Sequence, residues 1–261
     1  MKIMSMALIL FSITAFAADE RTWDKSVEVD SAVHFYLESH KGEVRITAGE
    51  EETLTISARI YMKNGREKLD QEQLDQLLEA VEMKFSQRSQ SVSLKVDFNR
   101  ETLDNLFAGL LGKNQENPTV DLDIALPSQA SLTLETHKGE IDIDAPGGEV
   151  KIQTHKGNAN IRNVRADFSL ETHKGNIQVE IQQLGSLDIE SHKGNVELTI
   201  HDAHDFQITG ESSKGSLKFS GMDIPVKRKK KGSAVAYSHG NGENRIDLET
   251  HKGNITIDFV N

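Results

Sequence analysis

Apolar and polar positions alternate with a period of two along most of this chain, and the same short polar phrase interrupts them at regular intervals. In SLTLETHKGEIDI at 131–143, Leu132, Leu134 and Thr136 share one face of an extended segment, and Glu135 and His137 take the other. Strand side chains alternate in this way because successive Cβ atoms point to opposite sides. After the glycine, Ile141 and Ile143 return to the first face, with Glu140 and Asp142 on the second. The phase repeats in Val150/Ile152 and Ala159/Ile161, in Phe168/Leu170 and Ile177/Val179, in Leu187/Ile189 and Val196/Leu198, and in Ile246/Leu248 and Ile255/Ile257. Period-two alternation bounded by glycine predicts two short strands joined by a bend.

The bend phrase reads ESHKG at 38–42, ETHKG at 135–139, QTHKG at 153–157, ETHKG at 171–175, ESHKG at 190–194, ESSKG at 211–215 and ETHKG at 249–253. Its histidines step by 18 residues from His137 to His155, 18 to His173 and 19 to His192. A fixed period of this size predicts stacked supersecondary units. The expected fold is mainly β, a β-solenoid of roughly 18–20-residue two-strand rungs. An antiparallel meander, with the bend as a three-residue hairpin loop, is the alternative. Near-identical polar residues at every bend favour the solenoid, where like stacks on like.

Each bend residue has an expected role. Gly42, Gly139, Gly157, Gly175, Gly194, Gly215 and Gly253 suit a backbone with φ > 0. The inward hydroxyls Ser39, Thr136, Thr154, Thr172, Ser191, Ser212 and Thr250 suit hydrogen bonds to backbone groups that the bend leaves unpaired. Asn158, Asn176, Asn195 and Asn254 follow the glycine and suit a stacked amide ladder.

About ninety residues separate the first bend from the next. Strands are expected at 53–61, 91–98 and 120–126. A helical insertion is expected over 66–86, where Leu74, Leu77, Leu78, Val81 and Phe85 form a stripe and Asp70, Glu72, Asp75 and Glu79 lie off it. Such a helix would cap the stack, which otherwise ends in an open sheet edge. A second short helix is expected at 102–111, with Leu103, Leu106, Phe107, Leu110 and Leu111 at helical spacing. It is either packed on the domain or a docking helix for a partner or membrane surface. The run Lys227-Arg228-Lys229-Lys230-Lys231 is either a solvated loop or a contact for anionic lipid head groups or glycans.

Residues 1–18 have the form of a cleaved signal peptide, with Lys2, an apolar stretch from Met6 to Phe16, and Ala15-Phe16-Ala17 as the processing site. The expected location is therefore outside the cytoplasm, periplasmic or extracellular. No later stretch reaches the length of a transmembrane helix. Residues 19–261 are expected to form a single elongated domain. The chain has no cysteine, so stacking and not disulfides must hold it together. The net charge of −11 argues against nucleic acid as a partner.

Three stretches carry a family resemblance: the rung LTLETHKGEIDID, the lead-in VDLDIALPSQASLTLET at 120–136 with Pro127, and the closing HGNGENRIDLETHKGNITI at 239–257. They resemble the bacterial putative-adhesin family over most of residues 28–261. The resemblance implies an exported or envelope-associated β-solenoid-like domain. It supplies no catalytic residues. Members more often carry small or polar residues where this chain has His-Lys.

The outward row His40, His137, His155, His173, His192 and His251 is the most unusual chemistry here. Stacked rungs would set neighbouring imidazoles about 5 Å apart. His137, His155, His173 and His192 are the candidate ligands for a divalent transition metal, with Glu135, Glu171, Glu190 and Glu249 beside them. The opposing reading is turn chemistry copied with the repeat, and Ser213 interrupts the row. Stacked imidazoles would also resist protonation together.

No G-x-S-x-G, phosphate-binding loop or H-E-x-x-H is present. The expected function is a non-enzymatic cell-envelope or secreted binding or scaffold protein, without a cofactor, whose partner is an envelope macromolecule, protein or glycan. The alternatives are a metal-binding protein using the histidine row and a polysaccharide-active β-helix enzyme, which would need carboxylates flanking a groove.

Overall fold

The computed structural model describes residues 20–63, 69–109, 117–144, 146–201 and 203–260. The N-terminal part holds β1 (Glu20–Glu28), β2 (His34–Lys41), β3 (Val44–Ala48), β4 (Thr53–Tyr61), α1 (Gln71–Glu79), β5 (Val81–Arg88), β6 (Ser91–Phe98), α2 (Arg100–Gly109) and β7 (Thr119–Leu126). The regular part holds β8 (Ser131–Lys138), β9 (Ile141–Asp144), β10 (Val150–Lys156), β11 (Ala159–Val164), β12 (Phe168–Lys174), β13 (Ile177–Ile181), β14 (Leu187–Lys193) and β15 (Val196–His201). The C-terminal part holds β16 (Phe206–Ser212), β17 (Leu217–Ser220), β18 (Lys227–Arg228), β19 (Ser233–His239), β20 (Asn244–Lys252) and β21 (Ile255–Val260).

The strand before each bend and the strand after it enter different sheets. β8, β10, β12 and β14 are parallel neighbours in one sheet, and β9, β11, β13 and β15 in the other. The two strands of a rung therefore do not pair with each other, which excludes the meander and makes the fold a two-sheet β-solenoid. Register is set residue on equivalent residue: Thr136, Thr154, Thr172 and Ser191 lie side by side, as do Lys138, Lys156, Lys174 and Lys193. A slip of one residue would turn every apolar side chain to solvent.

The inward positions of both sheets form one apolar core. Leu132, Leu134, Ile141 and Ile143 are buried in one rung, and Phe168, Leu170, Ile177 and Val179 in another. Each such side chain contributes about 1.5–3 kcal/mol.

Both ends depart from chain order. The sheet holding β9 runs β1-β4-β7-β3-β9, and at its far end β15-β21-β17. The sheet holding β8 runs β5-β6-β2-β8, and at its far end β14-β20-β16-β19-β18. The first rung, β2–β3, thus lies inside β6 and β7, and the last, β20–β21, inside β16 and β17. Antiparallel partners cover much of the edges: β1 on β4, β5 on β6, and β19 on β16.

The helix expected over 66–86 occupies Gln71–Glu79, and residues 64–68 lie outside the described part. Asp70 caps it by accepting from the Gln73 N–H at 2.9 Å, and Gln73 accepts from the Asp70 N–H at 3.1 Å. Leu74, Leu77 and Leu78 are buried. Val81 and Phe85 belong instead to β5, antiparallel to β6. The segment VEMKF alternates as Val81, Met83, Phe85 against Glu82 and Lys84, and that period of two prevails over the spacing of four that mimics a helix.

The helix expected at 102–111 starts at Arg100, with the Asn99 side chain accepting from the Thr102 N–H. Leu103 is buried, and α2 contacts α1. The side chains of Leu106 and Phe107, and residues Leu110 and Leu111, lie outside the described part, as does the signal peptide expected at 1–18. Among the described residues no helix is long and apolar enough to cross a membrane.

Candidate functional site

The bend turns the chain from one sheet to the other, and its residues pile into columns. The glycines form the tightest. A Cβ on Gly157 would sit 1.6 Å from the Gly139 carbonyl oxygen, and one on Gly175 would sit 1.7 Å from that of Gly157. The same holds at Gly42, Gly139, Gly194, Gly215 and Gly253, each within 1.9 Å of a neighbouring rung's carbonyl oxygen. The expected reason was positive φ. Gly157 and Gly194 have it, at 150° and 153°, but Gly139 and Gly175 do not. Close stacking of the rungs is what every member of the column shares.

That stacking also takes up the bend's backbone groups. The N–H groups of Gly139, Gly157, Gly175 and Gly194 each donate at 3.0 Å to the lysine carbonyl of the next rung. Of the inward hydroxyls, two do the expected work and five do not. Ser212 donates to the Gly253 carbonyl at 2.8 Å and Thr250 to that of Gly194 at 3.4 Å. Ser39, Thr136, Thr154, Thr172 and Ser191 are buried without a hydrogen-bond partner. The asparagines do form a ladder, though not between amides. Each side-chain oxygen of Asn158, Asn176 and Asn195 accepts from the backbone N–H of the next asparagine, at 2.9–3.0 Å.

The six histidines stand on six successive strands, β2-β8-β10-β12-β14-β20. From His137 to His251 the rings stack face to face, with centroids 4.7–5.0 Å apart and planes within 27° of parallel. His40 tilts by 56° against His137 at 6.4 Å, and Phe98 closes the row at 5.5 Å from His40. Nothing in the repeat marks Phe98 for this row, because β6 reaches it through a long-range pairing with β2.

A second row, Glu38, Glu135, Gln153, Glu171, Glu190 and Glu249, runs parallel to the first on the same face. Between them lies an open groove of about 600 Å³. At one end Lys95 reaches Glu38 at 2.7 Å, and in the middle Gln153 donates to Glu171 at 3.3 Å. Glu171, Glu190 and Glu249 then follow in succession. Burial, and next the charges of Glu171 and Glu249, hold the Glu190 carboxyl above its usual range. Loss of hydration in the stack, then the neighbouring imidazoles and a lysine, hold His155 and His192 below the usual histidine value.

This geometry bears directly on the metal ligands expected at His137, His155, His173 and His192. A metal about 2.1 Å from each of two ring nitrogens needs them within about 4.2 Å, with converging lone pairs. Parallel rings 4.7–4.9 Å apart aim their lone pairs side by side. Among the described residues no group of three or more His, Asp or Glu is placed to hold an ion. The carboxylates also stand abreast on one sheet face, whereas glycoside hydrolysis needs a pair flanking the scissile bond.

Parallel rungs, a glycine column and ordered outward rows define a two-sheet repeat β-solenoid. The chain belongs to the Toastrack DUF4097 family, which matches residues 32–258. Its fold is similar to that of a putative cell adhesion protein from Clostridium sporogenes, at 15% identity and a TM-score of 0.50, covering 92% of this chain and 100% of that one. A putative adhesin from Bacteroides fragilis aligns at 10% identity and a TM-score of 0.40, covering 92% and 97%. A putative lipid binding protein from Parabacteroides distasonis aligns at 9% identity and a TM-score of 0.29, covering 92% and 97%. No curated protein matches the chain.

Proposed function

We propose that this chain is a non-enzymatic binding or scaffolding protein of the cell envelope, exported to the periplasm or the cell exterior. Its partner is an envelope macromolecule, protein or glycan, held against the regular face. The groove between the imidazole and carboxylate rows carries this reading. Five in-register rungs line it, and a packed core fixes them from behind. A surface of this kind offers repeated hydrogen-bond donors and acceptors at one spacing, which suits an extended ligand more than a small one. The name of the Clostridium sporogenes protein points the same way, and the N-terminal stretch at 1–18 supports export.

The test is co-sedimentation of the protein with isolated envelope glycan and envelope protein fractions. A variant with His137, His155, His173 and His192 changed to Asn serves as the comparison. Retention by the wild type and loss in the variant is the expected result; equal retention would remove the groove from the function. Calorimetric titration with Zn, Cu and Ni should give no binding beyond that of the same variant. New reducing ends in the glycan fraction would overturn the non-enzymatic reading.

A further inference from the structure

Beside the histidines, on the corner itself, runs a third column. Lys41, Lys138, Lys156, Lys174, Lys193 and Lys252 are in register across six strands. Lys214 continues it, because the Gly253 N–H donates to the Lys214 carbonyl as each earlier bend glycine does to its own lysine neighbour. The basic run then arrives at the same corner. Gly232 packs against the Ser212 and Ser213 carbonyls, and the Ser233 hydroxyl reaches the Gly215 carbonyl. The turn carrying Lys230 and Lys231 therefore extends the line beyond Lys214.

Like charges opposite one another on neighbouring strands are destabilising. Among the described residues, the ammonium groups of Lys156, Lys174, Lys193, Lys252 and Lys214 have no carboxylate partner, and all are exposed. The position after each bend glycine divides the edge in two. It is Glu43 and Glu140 in the first rungs, then Asn158, Asn176, Asn195, Asn254 and Ser216. From Lys156 onward the position after the bend glycine carries no acid, and in the basic run Lys229 pairs with Glu211 at 2.6 Å while Lys230 and Lys231 lie on the turn beside it.

The asparagines sharpen this. Their side-chain oxygens are used up by the ladder of N–H donors from the next rung. Each asparagine is exposed and also carries an NH₂ group with two donor hydrogens. The four rungs of Lys156, Lys174, Lys193 and Lys252 thus each present one ammonium and one amide, repeated about every 4.8 Å, and Lys214 adds a fifth ammonium. Among the described residues Tyr36 is the one large hydrophobic side chain left exposed, so the edge lacks the apolar side chains that insertion into a bilayer uses.

We propose that this edge, from Lys156 to the Lys230–Lys231 turn, binds a linear acidic polysaccharide lying along the solenoid axis, with its anionic groups on successive rungs. This rests on the binding reading above and assigns it a ligand class and a second surface. The chain is acidic overall, at −11, so attraction comes from local segregation of charge and should weaken steeply with salt.

The experiment is calorimetric titration of the protein with polygalacturonate, with neutral dextran and with anionic phospholipid vesicles, at several salt concentrations. Binding to polygalacturonate alone is expected, with log affinity falling linearly against log salt. Changing Lys156, Lys174, Lys193 and Lys252 together to Gln should weaken it about tenfold or more. The matching Arg variant, which keeps the charge, should bind like the wild type. Unaltered circular dichroism and melting would show that the Gln variant is folded.

Undiminished binding by the Gln variant, equal binding to dextran, or binding confined to vesicles would overturn the proposal. The four-histidine variant separates this edge from the groove. If it loses polygalacturonate and the Gln variant does not, the edge assignment fails and the groove stands. If envelope fractions bind and polygalacturonate does not, again the edge alone fails. If neither binds, both readings fall.

Discussion

The middle of the stack and its two ends solve the same problem by different means. From β8 to β15 every strand lies parallel to its neighbours, each rung copies the last, and a column of glycine carbonyls limits what the bend can contain. At the ends the strands reverse direction, a helix covers the flank, and individual side-chain contacts do the closing: Asp70 with Gln73, Lys84 with Asp97, and Asp205 with the Gly242 and Glu243 N–H groups. The middle is stabilised by repetition, so an error in one rung is felt by its two neighbours. The ends are stabilised by particular residues, so an error stays local.

The largest contrast should come from glycine. Gly175→Val in the middle drives a side chain into the Gly157 backbone, and we expect a loss above about 4 kcal/mol, or failure to fold. Gly242→Ala at the C-terminal end has its nearest neighbour atom at 3.6 Å and carries only the strain of φ = 75°; about 1–2 kcal/mol is expected. Urea melts of both would settle it. A Gly175→Val protein as stable as the wild type would mean that the rungs do not stack as closely as described.

A second contrast, of opposite sign, lies in the hydroxyl column. The Ser212 hydroxyl, towards the C-terminal end, makes a 2.8 Å bond to the Gly253 carbonyl, and Ser212→Ala should cost about 1 kcal/mol. The Thr172 hydroxyl is buried without a partner, so Thr172→Val should leave stability unchanged or raise it. Equal destabilisation by both substitutions would show that the mid-stack hydroxyls are hydrogen-bonded after all.

The smallest effect is that of pH. His155 and His192 favour the neutral form in the folded chain. Above the ordinary histidine value of about 6.5 both states are neutral and nothing is gained or lost. As pH falls through that value the unfolded chain takes up protons that the stack resists, and stability drops. His137, His173, His251, Lys156 and Lys252 face these two rings and deepen the resistance. Glu190 acts oppositely at lower pH, because its raised carboxyl takes a proton in the folded state first. The melting temperature should therefore fall between about pH 7.5 and about pH 5.5. The fall should shrink in the four-histidine Asn variant, and an unchanged slope there would place the effect elsewhere.

What the sequence discloses follows the same division. Leu132, Leu134, Ile141 and Ile143 announce the rung because their environment repeats every 18 or 19 residues and is set by strand geometry alone. The histidine row and the bend glycines are legible for the same reason, although the glycines' true constraint, a carbonyl from another rung, is invisible in a single copy. The ends are less readable. Val81 and Phe85 fit two periods at once, and only pairing with β6 decides between them. Phe98 joins the imidazole stack through contacts that leave no local trace. The partners of Asn158 and Thr172 depend on which backbone groups the neighbouring rungs have already used.

The place of β20–β21 has a consequence for how the molecule is made. These strands come after β16 and β17 in the chain, yet slot between β14–β15 and β16–β17. The segment from 206 to 220 precedes them, yet joins the stack of rungs only through them. Growth from one terminus cannot finish this protein rung by rung. A chain interrupted before Asn244 would be missing an inner layer of the stack instead of its tip.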